Sequence, residues 1–276
     1  MNYIDFFGLN EYPFSMAVDN RFYYNSDQHS DALIRLKYAV KARKGLAVLV
    51  GGIGTGKTTL ARRMLDELEE EENCESALLV IIHTQITSEW FLRKITMQLG
   101  IDEPEKEKTR LLTQLYNRLI ELYDMGKKVI VLIDEAQMLQ NKEVMEDFRG
   151  LLNIEMENNK LITFIFFGLP ELDTYLALDE PLRQRVAIRY GIKSFTKDAI
   201  TEDYIKYRLG IAGCSRELFT ADALSAIHKY SEGIPRLINI LCDNALLEGF
   251  LRKKETIDDE LIKELASDLK IAGKEI

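Results

Sequence analysis

Apolar residues along this chain fall into two patterns. Short, nearly unbroken apolar runs stand at 46–50, 77–82, 129–133 and 161–168, with a fifth at 186–190. Runs of that length without polar alternation predict strands covered on both faces, the condition of a parallel sheet packed between helices. The intervening segments carry helical signals. Thr87 and Ser88 stand ready to cap a helix over 89–99 that Gly100 ends, apolar residues at helical spacing mark 109–125 before Gly126, and Pro170 suits the first turn of a short helix over 171–176. Beyond about residue 193 the strand signal disappears, and helices are predicted at 197–210, 220–231, 235–252 and 258–270. The expected fold class is therefore α/β, a parallel sheet flanked by helices, with a small C-terminal all-helical domain. The expected division is an N-terminal segment and helix over 1–45 that packs on a ligand site, an α/β domain over 46–193, and a helical domain over 194–276.

Composition leaves this reading in place. The 276 residues, 46% apolar and 29% charged, suffice for a medium and a small core and carry no signature of disordered, collagen-like or disulfide-stapled chains. A formal net charge of −9 gives no global attraction to nucleic acid or anionic lipid, so any such contact needs a local patch. Cys74, Cys214 and Cys242 are widely spaced and read as free thiols rather than as a disulfide framework or zinc site. Residues 1–5 show no basic region leading into an apolar run, and the longest apolar stretch, 161–169, falls far short of the ~20 residues that span a bilayer. A cytoplasmic location without an integral membrane segment is expected, peripheral to the inner membrane only through a partner.

The strongest chemical signal comes directly after the first apolar run. Gly51-Gly52-Ile53-Gly54-Thr55-Gly56-Lys57-Thr58-Thr59 fits the spacing G-x-x-x-x-G-K-[ST], with a predicted strand before it and a helical run after it. Glycines are needed because the backbone must turn sharply and aim successive N–H groups at phosphate oxygens, at the positive end of a helix. Lys57 is expected on the β- and γ-phosphates and the Thr58 hydroxyl on magnesium. The run 129–133 ends in Asp134-Glu135, at the carboxyl end of a predicted parallel strand where open α/β sheets bind ligands. Asp134 is expected to hold the metal and Glu135 to act as general base on the attacking water. The alternative is an acidic strand end that caps Ala136-Gln137. No guanine-reading Asn-Lys-x-Asp occurs, so ATP with Mg2+ is the expected ligand pair.

Weaker signals lie further on. In Leu182-Arg183-Gln184-Arg185 an arginine could reach a neighbouring subunit's γ-phosphate, and a surface arginine pair is the alternative. Gly233-Ile234-Pro235-Arg236 opens a predicted helix and could present Arg236 to the same phosphate from within the subunit; a plain helix start is the alternative. Arg35, Lys37, Lys41, Arg43 and Lys44 form a basic cluster, by default a solvated face and alternatively a DNA contact. The acidic run at Glu67 and 69–72 reads as solvated surface, and Trp90, His29, His83 and His228 show no ligand spacing.

Taken together, the phosphate loop, the Asp-Glu strand end, the late arginines and Gly-x-Pro-Arg resemble the AAA+ P-loop ATPases. More narrowly, Phe6-Phe7-Gly8-Leu9, Pro13-Phe14-Ser15, Arg21-Phe22, Ser26-x-x-His29-x-x-Ala32-Leu33, Gly54-Thr55-Gly56-Lys57-Thr58-Thr59, Pro170-Glu171-Leu172 and Leu182-Arg183-Gln184-Arg185 look like the general secretion pathway A-type ATPases, over almost the whole chain. Pilus-biogenesis ATPases and, more distantly, transposition-regulator ATPases share the pattern. The resemblance implies a nucleotide domain with a helical lid and nucleotide bound between them, assembly into a ring or filament with a shared site, Arg183 or Arg185 as a trans-acting finger, and Arg236 as a lid sensor. Proteins of that type commonly continue into a transmembrane segment and a peptidoglycan-binding domain, so only the ATPase module is carried over. They also tend to place a polar sensor, often glutamine, before Pro-Glu-Leu, where this chain has Leu169. A leucine side chain cannot hydrogen-bond, so turnover is expected to be slow unless Thr163 or another polar group substitutes. The leading expectation is an oligomeric ATPase whose nucleotide state switches engagement of a partner protein. The alternatives are an ATP-dependent DNA-binding scaffold that recruits a transposase, and a slow nucleotide sensor.

Overall fold

A computed structural model describes residues 2–271. Residues Asp27–Ile53 and Leu60–Ile192 form one compact unit. Its strands are β1 (Leu46–Gly51), β2 (Cys74–Val80), β3 (Lys128–Asp134), a small hairpin β4 (Glu155–Met156) and β5 (Asn159–Lys160), β6 (Ile162–Gly168) and β7 (Val186–Ile192). The main sheet is parallel with order β2-β3-β6-β1-β7. The central strands β1 and β6 are buried throughout, and β3 in all but its first residue, as their unbroken apolar runs require. Both edges are half-exposed. On β2 this shifts the strand: it starts at Cys74, before the apolar run, and ends at Val80, while Ile82 is 79% exposed beyond it. The fifth run completes the sheet as β7. The hairpin was not expected because Glu157 and Asn158 turn through left-handed φ values of 50° and 66° without a glycine.

Helices cover the sheet. They are α2 (Asp27–Lys41), α3 (Lys57–Glu69), α4 (Ser88–Gln98), α5 (Lys108–Asp124), α6 (Lys142–Leu151), α7 (Leu172–Leu176) and α8 (Glu180–Arg183); α1 (Tyr3–Phe7) stands at the chain start. Thr87 caps α4 by accepting from Trp90 N, and left-handed Gly100 comes after it. Part of this packing is aromatic. Phe148 on α6 is fully buried, 4.3 Å from the Phe91 ring and 4.8 Å from those of Phe164 and Phe166.

Among the described residues the second unit comprises 2–26, 54–59 and 193–271. Its helices α9 (Asp198–Ile211), α10 (Ala221–Ser231), α11 (Pro235–Leu251) and α12 (Asp259–Asp268) surround their own core, which also takes in Phe7, Phe14 and Phe22. The N-terminal residues therefore divide at 26: 2–26 pack with the C-terminal helices, whereas α2 packs on β7 and β1. Beside that shared core, one long-range residue helps to hold this partition. Arg208, 7% exposed on α9, donates through Nε to the Pro13 carbonyl at 2.6 Å and through Nη2 to that of Ser15 at 3.2 Å, with its guanidinium 4.9 Å from the Phe22 ring. Hydrogen bonds from a buried cation are the strong kind, and removing it orphans two carbonyls. Arg208→Leu is expected to loosen the N-terminal segment first, so that trypsin cuts after the exposed Arg21 well before the rest of the chain; wild-type resistance at that bond in the variant would refute the latch.

Candidate functional site

In the sheet unit, β6 lies between β1 and β3, with Val50 paired to Gly168 and Ile133 to Phe166. With strands ~4.8 Å apart and a two-residue offset of ~6.6 Å along them, Gly51 and Asp134 leave the same carboxyl end of the sheet roughly 12 Å from each other. Asp134 is 2% exposed, its Oδ1 accepting from Glu135 N at 2.9 Å and its carbonyl from Ile81 N at 3.1 Å.

Glu135 sits in the left-handed region at φ 55°, a costly conformation for a non-glycine residue and one that clusters at functional positions. It precedes the 3-10 turn Ala136–Met138, yet its side chain makes no capping bond. The capping alternative for Glu135 therefore fails. Its carboxylate accepts from Gln137 Nε2 at 2.5 Å instead, while Gln137 Oε1 accepts from Leu169 N at 3.1 Å. Gln137 is the residue that sequence reasoning missed as a member of this site; next to Asp134-Glu135 it reads only as part of the next turn. Thr163 cannot replace a polar side chain at 169. It is buried in register with Ile130, four residues before Asp134 and so ~13 Å short of the strand end.

The second unit contains the middle of the phosphate loop. Gly54 and Gly56 have φ values of 76° and 98°, while Thr55 and Lys57 are buried at 3% and 7% exposure. The Gly54 carbonyl accepts from Arg236 N at 3.2 Å, and a Cβ built on Gly54 would lie 2.7 Å from Arg236 Cβ. The Gly-Ile-Pro-Arg segment explains this approach. Gly233, at φ 67°, packs on the Phe195 backbone and accepts from Phe195 N at 2.8 Å; Ile234 then caps α11 and Pro235 opens it. The Arg236 main chain is thereby fixed on the loop, and its side chain is exposed without an ion pair among the described residues.

The two other arginines differ. Asp179, held by Arg149 at 3.0 Å, caps α8 by accepting from Leu182 N at 2.9 Å. On that helix Arg183 forms a bidentate pair with Glu180, at 2.7 and 2.9 Å, whereas exposed Arg185 makes no ion pair among the described residues. Most of the basic cluster is committed internally. Lys37 pairs with Glu67, Arg43 donates to the carbonyls of Lys127 and Lys160, and Arg35 and Lys44 lie over the rings of Tyr190 and Tyr38.

The family model described as AAA domain matches residues 40–176. General secretion pathway protein A of Aeromonas hydrophila is 35% identical over 258 residues, 92% of this chain and 46% of that protein. The chain belongs to the AAA+ ATPases. Solved structures show the same fold: Cdc6p from Pyrobaculum aerophilum superposes with a TM-score of 0.70 at 18% identity, covering 93% of this chain and 70% of its own, and the Aeropyrum pernix ORC1 protein in complex with DNA with 0.67 at 17%, covering 89% and 66%. This AAA+ chain spans about half the length of its secretion relative. Among the described residues no helix is long and apolar enough to cross a membrane.

The approach of Gln137 to the end of β6 requires a bare backbone at Gly168, where a Cβ would stand 3.0 Å from Leu172 Cδ2 and 3.1 Å from Gln137 Oε1. Gly168→Ala is expected to cost about 1–3 kcal/mol through overpacking. Gly150→Ala, where a Cβ on α6 meets nothing within 4 Å, is expected to be stabilising by roughly 0.5–1 kcal/mol. Urea unfolding of both variants checks the pair, and equal effects would discard the packing argument.

Proposed function

We infer that this AAA+ chain binds and hydrolyses ATP with Mg2+ as one subunit of a homo-oligomer, and that its nucleotide state switches how it engages a partner protein. The observation that carries the reading is the sheet order: β1 and β3 flank β6, so the phosphate loop and Asp134-Glu135 leave one edge. The donor set fits the metal. Thr58 and Asp134 offer hard oxygens, and no cluster of three or more His, Cys, Asp or Glu among the described residues would form a self-sufficient cage. Mg2+ is characteristically held by one or two protein oxygens together with phosphates and waters. When bound, the ion neutralises charge developing on the phosphates.

The loop backbone and Lys57 bind the phosphates, Thr58 and Asp134 hold the ion, and Glu135 polarises the attacking water as general base. Ile53 and Thr59 flank this cradle. Arg236 reads the γ-phosphate from within the subunit, and an arginine after α8 serves the neighbour's site. Arg185 is the first candidate for that role because among the described residues it has no pair to break; Arg183 would have to leave Glu180, although an exposed pair of this kind exchanges at small cost. A nucleotide-dependent contact between subunits, biased by the γ-phosphate, is the switching element. Cytoplasmic residence is consistent with the need for ATP, with any place at the inner membrane supplied by the partner. The DNA-scaffold reading rested on the basic cluster, whose cations serve mostly internal contacts. The slow-sensor reading rested on Leu169, and Gln137 supplies a polar group at that strand end.

Steady-state ATP hydrolysis over a range of protein concentrations, with and without duplex DNA, tests the reading. A rate per subunit that rises with concentration is expected, together with loss of ATP binding in Lys57→Ala and a loss of turnover of about 10²–10⁴-fold in Glu135→Gln with binding retained. Arg185→Ala should lower turnover more than Arg183→Ala, with binding intact. A rate independent of concentration would remove the shared site, and strong stimulation by DNA would restore the scaffold.

A further inference from the structure

The ends of β3 and β6 are joined by one side chain. Gln137 is 6% exposed, and its two amide atoms do different work: Nε2 donates to the Glu135 carboxylate at 2.5 Å, and Oε1 accepts the Leu169 N–H at 3.1 Å. The Glu135 carboxylate has no other hydrogen-bond partner among the described residues, and its backbone is in a left-handed conformation that leaves the side chain uncapped. The geometry is built for this bridge. Gly168 carries no Cβ where one would crowd Gln137 Oε1, and Gln137 itself stands two residues beyond Glu135 in the 3-10 turn.

We propose that Gln137 is the positioning residue for Glu135, orienting its carboxylate and tying that orientation to the main chain of Leu169 at the end of β6. The proposal rests on the reading of Glu135 as general base. A base must hold its carboxylate toward the water in one direction, and a misplacement near 1 Å costs up to ~100-fold in rate. Only an amide of glutamine length meets both demands. Glutamate accepts from Leu169 N–H but cannot donate to Glu135, methionine matches the size and does neither, and asparagine is one carbon short. The anchor on the β6 side is a backbone N–H, present whatever side chain stands at 169 except proline.

The test compares Gln137→Met, Gln137→Glu and Glu135→Gln in the full chain, by steady-state ATP hydrolysis and equilibrium ATP binding. Gln137→Met, which preserves length and volume, is expected to lower kcat about 10- to 100-fold. KM and the Kd for ATP should stay within about threefold, since an interaction with the reacting water alone leaves nucleotide binding untouched. Gln137→Glu keeps the Leu169 bond and sets a like charge against Glu135, so its kcat should fall at least as far. In a Glu135→Gln background, Gln137→Met should cause no further loss, because both changes act through one carboxylate. A wild-type kcat in Gln137→Met or in Gln137→Glu would overturn the proposal, as would a loss from Gln137→Met that is undiminished in the Glu135→Gln background. Failure of the underlying reading looks different: Glu135→Gln itself would then turn over at the wild-type rate.

Discussion

The site depends on a backbone that glycine adopts without strain. Leaving β1, the main chain passes Gly54 at φ 76° and Gly56 at φ 98° before α3 begins at Lys57. At Gly54 the demand is double, because a side chain would be strained by conformation and would also meet Arg236 at 2.7 Å. The turn delivers the N-terminus of α3, whose first N–H groups lack partners within the helix and carry the positive end of its dipole. It also turns the Gly54 carbonyl toward Arg236 N, so the conformation that builds the phosphate cradle also fixes the Gly-Ile-Pro-Arg segment. The cradle proposed for phosphate and the placement of Arg236 are therefore two consequences of one turn.

Sheet order does the remaining work. Inserting β6 between β1 and β3 puts the last of the three strands in the chain in the middle, paired on both sides. Its end, at Gly168 and Leu169, lies next to both the loop exit and Asp134-Glu135. Whatever stands there can reach Glu135 through a single intervening side chain, and Gln137 does so. The neighbouring α8 is fixed differently, through the buried Asp179 that caps it and the Arg149 that holds Asp179. Arg183, the last residue of this capped helix, and Arg185, just beyond it, are both exposed.

How much of this was legible in the sequence depends on the range of the interaction. The phosphate loop, the Asp-Glu strand end and Gly-Ile-Pro-Arg are local, each defined by residues within nine positions, and their geometry is readable from spacing. Central strands were legible because burial on both faces leaves an unbroken apolar run. Edge strand β2 was read three residues late, since half-exposed Glu75 and Ser76 break the run at its start and Ile82 extends it into the loop. The grouping of residues 2–26 with the C-terminal helices was not legible. It rests on a core shared across the chain and in part on Arg208 and carbonyls more than 190 positions away, and carbonyls are the same in every residue. Gln137 was missed for a related reason: one of its two partners is a backbone N–H, across a strand pairing that no local pattern announces.

In the proposed arrangement Leu169 contributes a backbone atom rather than a side chain. Reading its apolar side chain as a lost sensor assumes that the polar group must come from that position. The physical requirement is weaker: something at the end of β6 must hydrogen-bond toward Glu135. Leu169 stands between the end of β6 and the start of α7 at Leu172, and Pro170 after it disfavours a helical conformation at 169. The Leu169 N–H remains available to Gln137, whose amide passes the constraint to Glu135. The side chain at 169 is then released from polar duty, and leucine there is compatible with a fully oriented base.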